Sequence, residues 1–520
     1  LAAARGGVSR LRPPWRIGVD VGGTYTDLVL VDALGASVVV KVPSVPADPA
    51  EAVIRACTAC AAETGLTVAT LLGEAATFVH GTTIATNTLL TRSGAKVGLV
   101  TTAGFRDWLA IRRGMRENPW DHRAPNPEPL VPRHLRLGVG GRLDAQGRER
   151  APLDAAAVAA AATTFRREGV EAVALCLLHA HANPDHEDRA AAILAAALPG
   201  IPITRSASLA PVVGEYARGS TAVMNAYLAP RVSTYLRATE ARLEQAGLRA
   251  PLLLMQSNGG VAPVAALADQ PVRLLLSGPA AAIGALARIA AALASPDLVS
   301  VEIGGTSCDV ALIADGRGEV IGEHVVEGHH VAMPTVDLHT VGAGGGTIAR
   351  VDGGLLMAGP EGAGADPGPA AYGRGGARPT LTDALLVLGR LAPGAQSGGV
   401  TLERAPAVAV VARHLASPLG LSVEAAALGV VAVVEQHLIH AVERLSIERG
   451  RDPRRFTLVA AGGAGPMHGV AVARRLGISR VVIPRRAGAF CAAGLLRSDI
   501  RRDRRLALAL DLGAIAEATA

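Results

Sequence analysis

Lysine is almost missing from this chain. Of its 51 basic residues only Lys41 and Lys96 are lysines, and neither stands in a Gly-x-x-x-x-Gly-Lys-Ser/Thr context. The phosphate cradle of a P-loop nucleotidase is therefore excluded. Aromatic residues make up only 2%, which leaves few stacking platforms for single-stranded nucleic acid. The net charge of +6 and pI near 9.4 come from arginines scattered along the sequence, without a dense basic arm, so nucleic acid is not expected as a partner. Five cysteines in 520 residues are too few, and odd in number, for a disulfide scaffold, and a reducing, cytoplasmic setting is expected. Cys57 and Cys60 fall in a helical pattern after Pro49 without a second pair, which reads as helix packing. Leu1 to Pro14 carries arginines but no apolar run of signal-peptide length. The most apolar windows, Leu274 to Ala294 and Ala425 to Val434, are interrupted or too short to span a bilayer, so no membrane association is expected. The glycine runs at Gly342 to Thr347 and Gly463 to Pro466 miss the Gly-x-Gly-x-x-Gly spacing of a dinucleotide fold.

What the chain does have is a turn that occurs twice. Arg16 to Asp32 reads as a buried strand, a Gly22-Gly23-Thr24 turn and a second apolar strand, with Asp20 just before the turn. Such a turn exposes backbone N–H groups and the hydroxyls of Thr24 and Thr26, which suits phosphate oxygens. A carboxylate beside it is where hydrated Mg²⁺ would be held, although Asp20 would also serve as the cap of an ordinary hairpin. Val301 to Val310 repeats the pattern without a gap. Glu302 matches Asp20, Gly304-Gly305-Thr306 matches Gly22 to Thr24, Ser307 follows, and Asp309 matches Asp27. This separation exceeds any solenoid period, so it predicts two related lobes that grip a polyphosphate from both sides.

Helix and strand patterns alternate along the rest, which marks an α/β chain. His80 ends a strand at a Gly-Thr-Thr turn and is a candidate contact for substrate or phosphate, or a strand-end histidine satisfied by backbone. His179, His181, Asp185 and His186 cluster without zinc-like spacing, and strand-end and helix-cap roles explain them. Asp337 and His339 precede a glycine turn whose Gly344 and Gly345, placed before an apolar helix start, would offer N–H groups to an anion. Gly359 to Arg378 is expected as an ordered cleft loop, and Thr382-Asp383 as the cap of a helix beginning at Ala384. Phe456 to Ala461 reads as a strand feeding Gly462-Gly463, where backbone could lie against an adenine face.

Six stretches in order carry a resemblance: Val19 to Asp27, His80 to Asn87, Gly304 to Val310, His339 to Gly346, Gly364 to Ala370 and Gly462 to His468. Together they resemble the A-type subunits of the hydantoinase/oxoprolinase family, within the actin-like ATPase superfamily. The resemblance implies a duplicated two-lobe α/β fold of the actin-like (ribonuclease H-like) type with ATP and Mg²⁺ between the lobes. It implies an irregular tail over residues 1–15, an N-terminal domain over 16–200 as first lobe with an insertion, a core domain over 201–505 as second lobe, and a truncated tail over 506–520. The implied reaction is ATP-dependent opening of a cyclic amide, such as a hydantoin or 5-oxoproline. Alternatives are a ketone carboxylase of the acetone or acetophenone type and a non-catalytic actin-like nucleotide-binding protein. Asp20 would orient the metal, with Glu302, His80 and Asp309 completing the catalytic set. Gly22 to Thr24, Thr26, Gly304 to Ser307, Gly344 and Gly345 would hold the phosphates, and Gly462-Gly463 would face the adenosine. A B-type subunit in a hetero-oligomer is the implied partner. Glu302 departs from the family pattern, which usually has Asp there.

Overall fold

The computed structural model describes residues 11–45, 47–114, 120–397 and 400–507; the ends of the two expected tails lie outside the described residues. The first lobe opens with β1 (Trp15–Val21), β2 (Tyr25–Val31) and β3 (Ser37–Pro43), an antiparallel meander. The helix α1 (Pro49–Thr64) then carries the chain to β4 (Ala75–Thr82), parallel to β1. Cys57 and Cys60 are buried on α1, as their helical spacing predicts. An inserted parallel sheet follows, built from β5 (Val97–Thr102), β6 (Arg136–Val139), β7 (Ala172–Cys176) and β8 (Ile203–Arg205). Its two central strands, β5 and β7, are buried at every residue because helices cover both faces. The long helix α2 (Glu215–Gln245) returns to the first sheet, where β9 (Leu252–Met255) joins β4 in parallel and β10 (Val261–Pro263) closes the edge.

Crossing helix α3 (Ser277–Leu293) leads into the second lobe. There β11 (Leu298–Ile303), β12 (Cys308–Ala314) and β13 (Arg317–Gly318) form an antiparallel meander, and β14 (Leu338–Val341) also pairs with β12. The hairpin β15 (Thr347–Asp352) and β16 (Leu355–Gly362), then helices α4 (Leu381–Val387) and α5 (Val423–Leu445), precede β17 (Thr457–Gly462). Helix α6 (Gly465–Leu476) and β18 (Val481–Val482) complete the sheet, and α7 (Phe490–Leu495) crosses back.

The two sheets repeat one another strand for strand. The order β3-β2-β1-β4-β9 of the first matches β13-β12-β11-β17-β18 of the second, each with two antiparallel pairings followed by two parallel ones. This is the duplicated two-lobe α/β architecture of actin-like ATPases that the repeated turn predicts. Between the sheets, α3 and α7 share a core with both: Val79 and Met255 from one side, Leu298 and Val459 from the other, around Ala281, Leu286 and Leu495. The two helices touch through backbone, since a Cβ on Gly494 would lie 2.1 Å from the Ala281 carbonyl oxygen. Any side chain there would force them apart.

Three expectations are corrected. The first lobe does not end near residue 200, because β9 and β10 belong to its sheet and the crossover falls at α3. The chain after Gly346 is strand β15 and not a helix; its Thr347, Ile348 and Ala349 are buried side by side, with Ala349 and Arg350 paired to β16. The cap of α4 is Thr380, which forms a capping box with Asp383.

A β-ribbon between β13 and β14 leaves the second lobe and lies on the first. Its antiparallel arms, His324–Val326 and His329–Val331, run over α2, where the Ala332 N–H donates to Thr221 Oγ1 at 2.8 Å. Arg112 donates to the Gly328 carbonyl at 3.1 Å and Arg113 pairs with Glu323 at 2.8 Å. Helix α5 lies in the described segment Val423–Arg449, which is long and apolar enough to cross a membrane; its Val430, Val434, Leu438 and Val442 are fully buried in the second-lobe core.

Candidate active site between two glycine turns

The repeated turns close in the same way and face each other. Gly22 N–H donates to the Tyr25 carbonyl at 3.0 Å, and Gly304 N–H to the Ser307 carbonyl at 2.9 Å. A Cβ built on Gly305 would lie 3.3 Å from Thr24 Oγ1, so the tip of one turn reaches the other. Among the described residues no carbonyl receives the N–H of Gly23, Gly305 or Thr306, all three of which are exposed or carried on exposed backbone. These are donors available to an anion. Thr26 is a correction. Its side chain is fully buried and meets Ser44 Oγ at 3.0 Å, while Ser44 Oγ donates to the Gly22 carbonyl at 2.8 Å, so Thr26 braces the turn from beneath.

Strand alternation puts the acids in one place. Asp20 pairs across β1 and β2 with Asp27, and Glu302 across β11 and β12 with Asp309. In the second lobe Val301, Ile303, Val310 and Leu312 fill the core on one face, which leaves Glu302 and Asp309 on the face toward the first lobe. Burial, then the nearby Asp27, pushes the Asp20 carboxyl up to about 7, although some of its surface is open to solvent. Burial raises Glu302 to about 8, opposed by a hydrogen bond donated by the Cys491 thiol at 2.9 Å and reinforced by Asp309, Asp20 and Asp27. Asp309 rises to about 6 through burial, held back by the Thr340 hydroxyl at 2.6 Å. Asp27 rises too, for the same reason, against the pull of Lys41, whose Nζ is 2.6 Å away.

Four carboxylates with one lysine are a poor arrangement by themselves and a good one for a hard divalent cation. Asp20 Oδ1 is buried and, among the described residues, has no hydrogen-bond partner. A Cβ on Gly81 would come within 2.8 Å of it and one on Gly278 within 3.6 Å, so both glycines keep the space beside that oxygen open. The residues therefore fit Mg²⁺, with Asp20 the candidate ligand.

A cleft of about 510 Å³ runs from Asp27 to the second lobe, lined by Asp27, Lys41, Gly462, Gly463, Arg485 and Arg486. Gly462 has φ +78 and approaches β11 closely; a Cβ on it would lie 2.3 Å from the Ile303 carbonyl oxygen. Lys41 and the two arginines place cations where a polyphosphate would need them. Sequence reasoning passed over all three, and over Cys491. The register of β2 on β3, which sets Lys41 opposite Asp27, carries the signal for Lys41.

Other candidates have different roles. His80 is fully buried, with Nδ1–H donating to the Val19 carbonyl at 3.1 Å and Nε2 accepting from the Tyr235 hydroxyl at 2.7 Å. Burial lowers it to about 4, so it is a neutral structural histidine outside the catalytic set. Gly344 N–H is taken by Thr347 Oγ1 at 2.7 Å and Gly345 N–H by the Gly304 carbonyl at 3.0 Å. They hold the second turn and have no N–H to give an anion. His339 stands opposite Val310, on the sheet face away from Asp309, and lines a separate cavity with Arg350, His437 and Arg444. Of the clustered residues after β7, His186 hydrogen-bonds Glu149 at 2.7 Å and Asp185 pairs with Arg189 at 3.3 Å.

Comparison with known proteins identifies the family. The family model for the hydantoinase/oxoprolinase N-terminal region matches residues 16–198, and that for hydantoinase/oxoprolinase matches residues 218–504. The chain is 41% identical over 502 residues to caprolactamase subunit alpha of Pseudomonas jessenii, covering 96% of this chain and 72% of that one. It is 34% identical over 502 residues to the acetophenone carboxylase gamma subunit of Aromatoleum aromaticum, covering 93% and 68%. The crystal structure of the ATP-dependent caprolactamase from Pseudomonas jessenii superimposes with a TM-score of 0.84 at 39% identity, over 97% of this chain and 74% of that chain. With both lobes matched by family models and the paired turns in place, the chain belongs to the hydantoinase/oxoprolinase family.

Proposed function

We propose that this protein is the nucleotide-binding subunit of an ATP-dependent cyclic amide hydrolase, which phosphorylates the amide oxygen of a lactam or hydantoin-type ring. The observation that carries the proposal is the meeting of two Gly-Gly-Thr turns over four carboxylates. Its support from outside is the 41% identity to a caprolactamase subunit. N–H groups of Gly23, Gly305 and Thr306 at the paired turns, and Lys41, Arg485 and Arg486 in the cleft that Asp27 lines, bind the triphosphate. Ser307 sits at the end of the second turn, and Gly462-Gly463 form the wall for the adenosine. A divalent cation held by Asp20 supplies neutralisation of phosphate charge.

Burial raises both Glu302 and Asp309 above the ordinary carboxyl range, which makes them the candidates for proton transfer beside the phosphate. The amide oxygen attacks the γ-phosphorus as the bond to the β-phosphate oxygen breaks. Water adds to the carbon of the phosphorylated amide, and the C–N bond breaks so that the ring nitrogen leaves as an amine and an acyl phosphate remains. A second water cleaves that acyl phosphate to the acid and free phosphate. A B-type partner subunit completes the assembly in this reading, and five free buried thiols fit a reducing cytoplasm.

A second reading, an ATP-dependent ketone carboxylase subunit, is favoured by the 34% identity to the acetophenone carboxylase subunit. The assembled protein, given ATP with a panel of lactams, hydantoins, 5-oxoproline and ketones, with and without bicarbonate, separates the two. Phosphate release coupled to ring-opened product without bicarbonate supports the hydrolase. Turnover only with a ketone and bicarbonate replaces it with the carboxylase.

A further inference from the structure

The acid that the second turn contributes is held from the far side of the cleft. Glu302 lies on β11 of the second lobe, and among the described residues the one side-chain hydrogen bond to its carboxylate comes from Cys491 Sγ at 2.9 Å. Cys491 is on α7, which shares a core with both sheets and also packs directly on first-lobe strands. A Cβ on Gly18 of β1 would meet the Ala492 carbonyl oxygen at 2.5 Å, and one on Gly81 of β4 would meet Leu495 Cδ2 at 3.4 Å. On its other side α7 is pressed to α3 through Gly494. Helix α7 is thus fixed against the strands that carry Asp20, while its thiol reaches the carboxylate that faces Asp20 across the cleft.

The chemistry of the contact makes it directional. A glutamate has one more rotatable bond than an aspartate, so the Glu302 carboxyl has more orientations open to it than an aspartate at this position would have. The hydrogen bond from Cys491 selects among them. The thiol is buried, 7% exposed, and burial raises its own titration well above the usual range, so it stays an S–H donor and never becomes a competing anion at neutral pH.

We propose that Cys491 is a positioning residue, which acts through Glu302 by holding its carboxylate at the height of Asp20 and so tying the geometry of the second lobe's acid to the first lobe. This rests on the reading of Glu302 as part of the ATP-hydrolysing centre. A carboxylate displaced by about 1 Å near reacting atoms can cost on the order of a hundredfold in rate.

The test is a double-mutant cycle on the full-length protein in the assembly in which it is isolated. ATP turnover is measured for wild type, Cys491→Ala, Cys491→Ser, Glu302→Gln and the Cys491→Ala, Glu302→Gln pair, with thermal unfolding followed for each. Cys491→Ala is expected to lower kcat tenfold or more, on the order set by that displacement cost, with KM for MgATP within about twofold. Cys491→Ser, which keeps an O–H donor, restores most of the rate. In the Glu302→Gln background, Cys491→Ala makes no further difference, because a residue acting through Glu302 has nothing left to position. Equal losses from Cys491→Ala in both backgrounds, or a wild-type kcat in the single variant, overturn the proposal. If Glu302→Gln alone leaves ATP turnover unchanged, what fails is the placement of Glu302 in the centre, and that outcome is distinct from the other two.

Discussion

Replacing Asp20 by Asn removes one of four crowded carboxyl groups, and the structure says how the fold should respond. The Asp20 carboxyl titrates at about 7 in the folded chain against an ordinary 3.8. Between those values the folded state binds more protons than the unfolded state, so stability falls as pH rises through the window and is level above it. A difference of about 3 units is about 4 kcal/mol at pH 8, an upper figure because water reaches part of the group. The new amide leaves an N–H group unsatisfied in a buried place, which takes back about 2 kcal/mol. With an unfolding entropy of about 2.1 cal/mol/K per residue over 520 residues, each 1.1 kcal/mol or so moves Tm by about one degree. Asp20→Asn should therefore unfold about 2 °C higher than wild type at pH 8 in chelator, while losing Mg-dependent ATP hydrolysis. At pH 5.5 the wild-type penalty has dropped to about 2 kcal/mol, and the gain should nearly vanish. Scanning calorimetry at both pH values reads this directly. A variant no more stable than wild type at pH 8, or equally stabilised at pH 5.5, would refute the view of these acids as a site waiting for positive charge.

Saturating Mg²⁺, at about a hundred times its Kd, should raise the wild-type Tm by about 2 °C at pH 8 and leave Asp20→Asn unmoved, as differential scanning fluorimetry would show. Gly81→Ala places a methyl 2.8 Å from Asp20 Oδ1 and should cut kcat on the order of tenfold to a hundredfold at little change in Tm. Gly344→Ala, with its Cβ 2.6 Å from the Thr306 carbonyl carbon, should displace the second turn and raise KM for ATP on the order of tenfold, read by steady-state kinetics. His80, lowered to about 4 by burial, binds fewer protons folded than unfolded between about 4 and 6.5. Its contribution of up to about 3 kcal/mol is lost as pH falls through that window, so the Tm advantage of wild type over His80→Gln should narrow from pH 7 to pH 4.

Much of the architecture was legible because it is written in local patterns. The strands around Gly22 and Gly304 announce themselves by alternation and by repetition, and the repeat alone implies a second lobe. The acids Asp20, Glu302 and Asp309 could be placed because their positions relative to each turn are the same in both copies. What was hidden depends on contacts between distant parts of the chain. Nothing near Thr26 in the sequence says that Ser44 lies beneath it, and nothing near His80 shows that Tyr235, 155 positions later, satisfies its second nitrogen. Glycines after β14 look like a helix start because glycine turns precede helices and strands alike; only the partner strand β16 settles the matter. The lobe boundary was missed for the same reason, since β9 joins a sheet begun far earlier in the chain. Cys491 reads as an apolar residue in an alanine-rich helix, and its bond to Glu302 spans 189 positions.

The ribbon that crosses from β13 and β14 to α2 has a mechanical meaning. Crossing helices alone would let the halves of the molecule swivel like pages on a single ring. A second attachment, through Thr221, Arg112 and Arg113, adds another ring some way from the first. Two rings define a line, and only rotation about that line preserves both fastenings. Any movement of one lobe against the other that kept both fastenings would be confined to rotation about that line, and a twist off it would have to unfasten the ribbon.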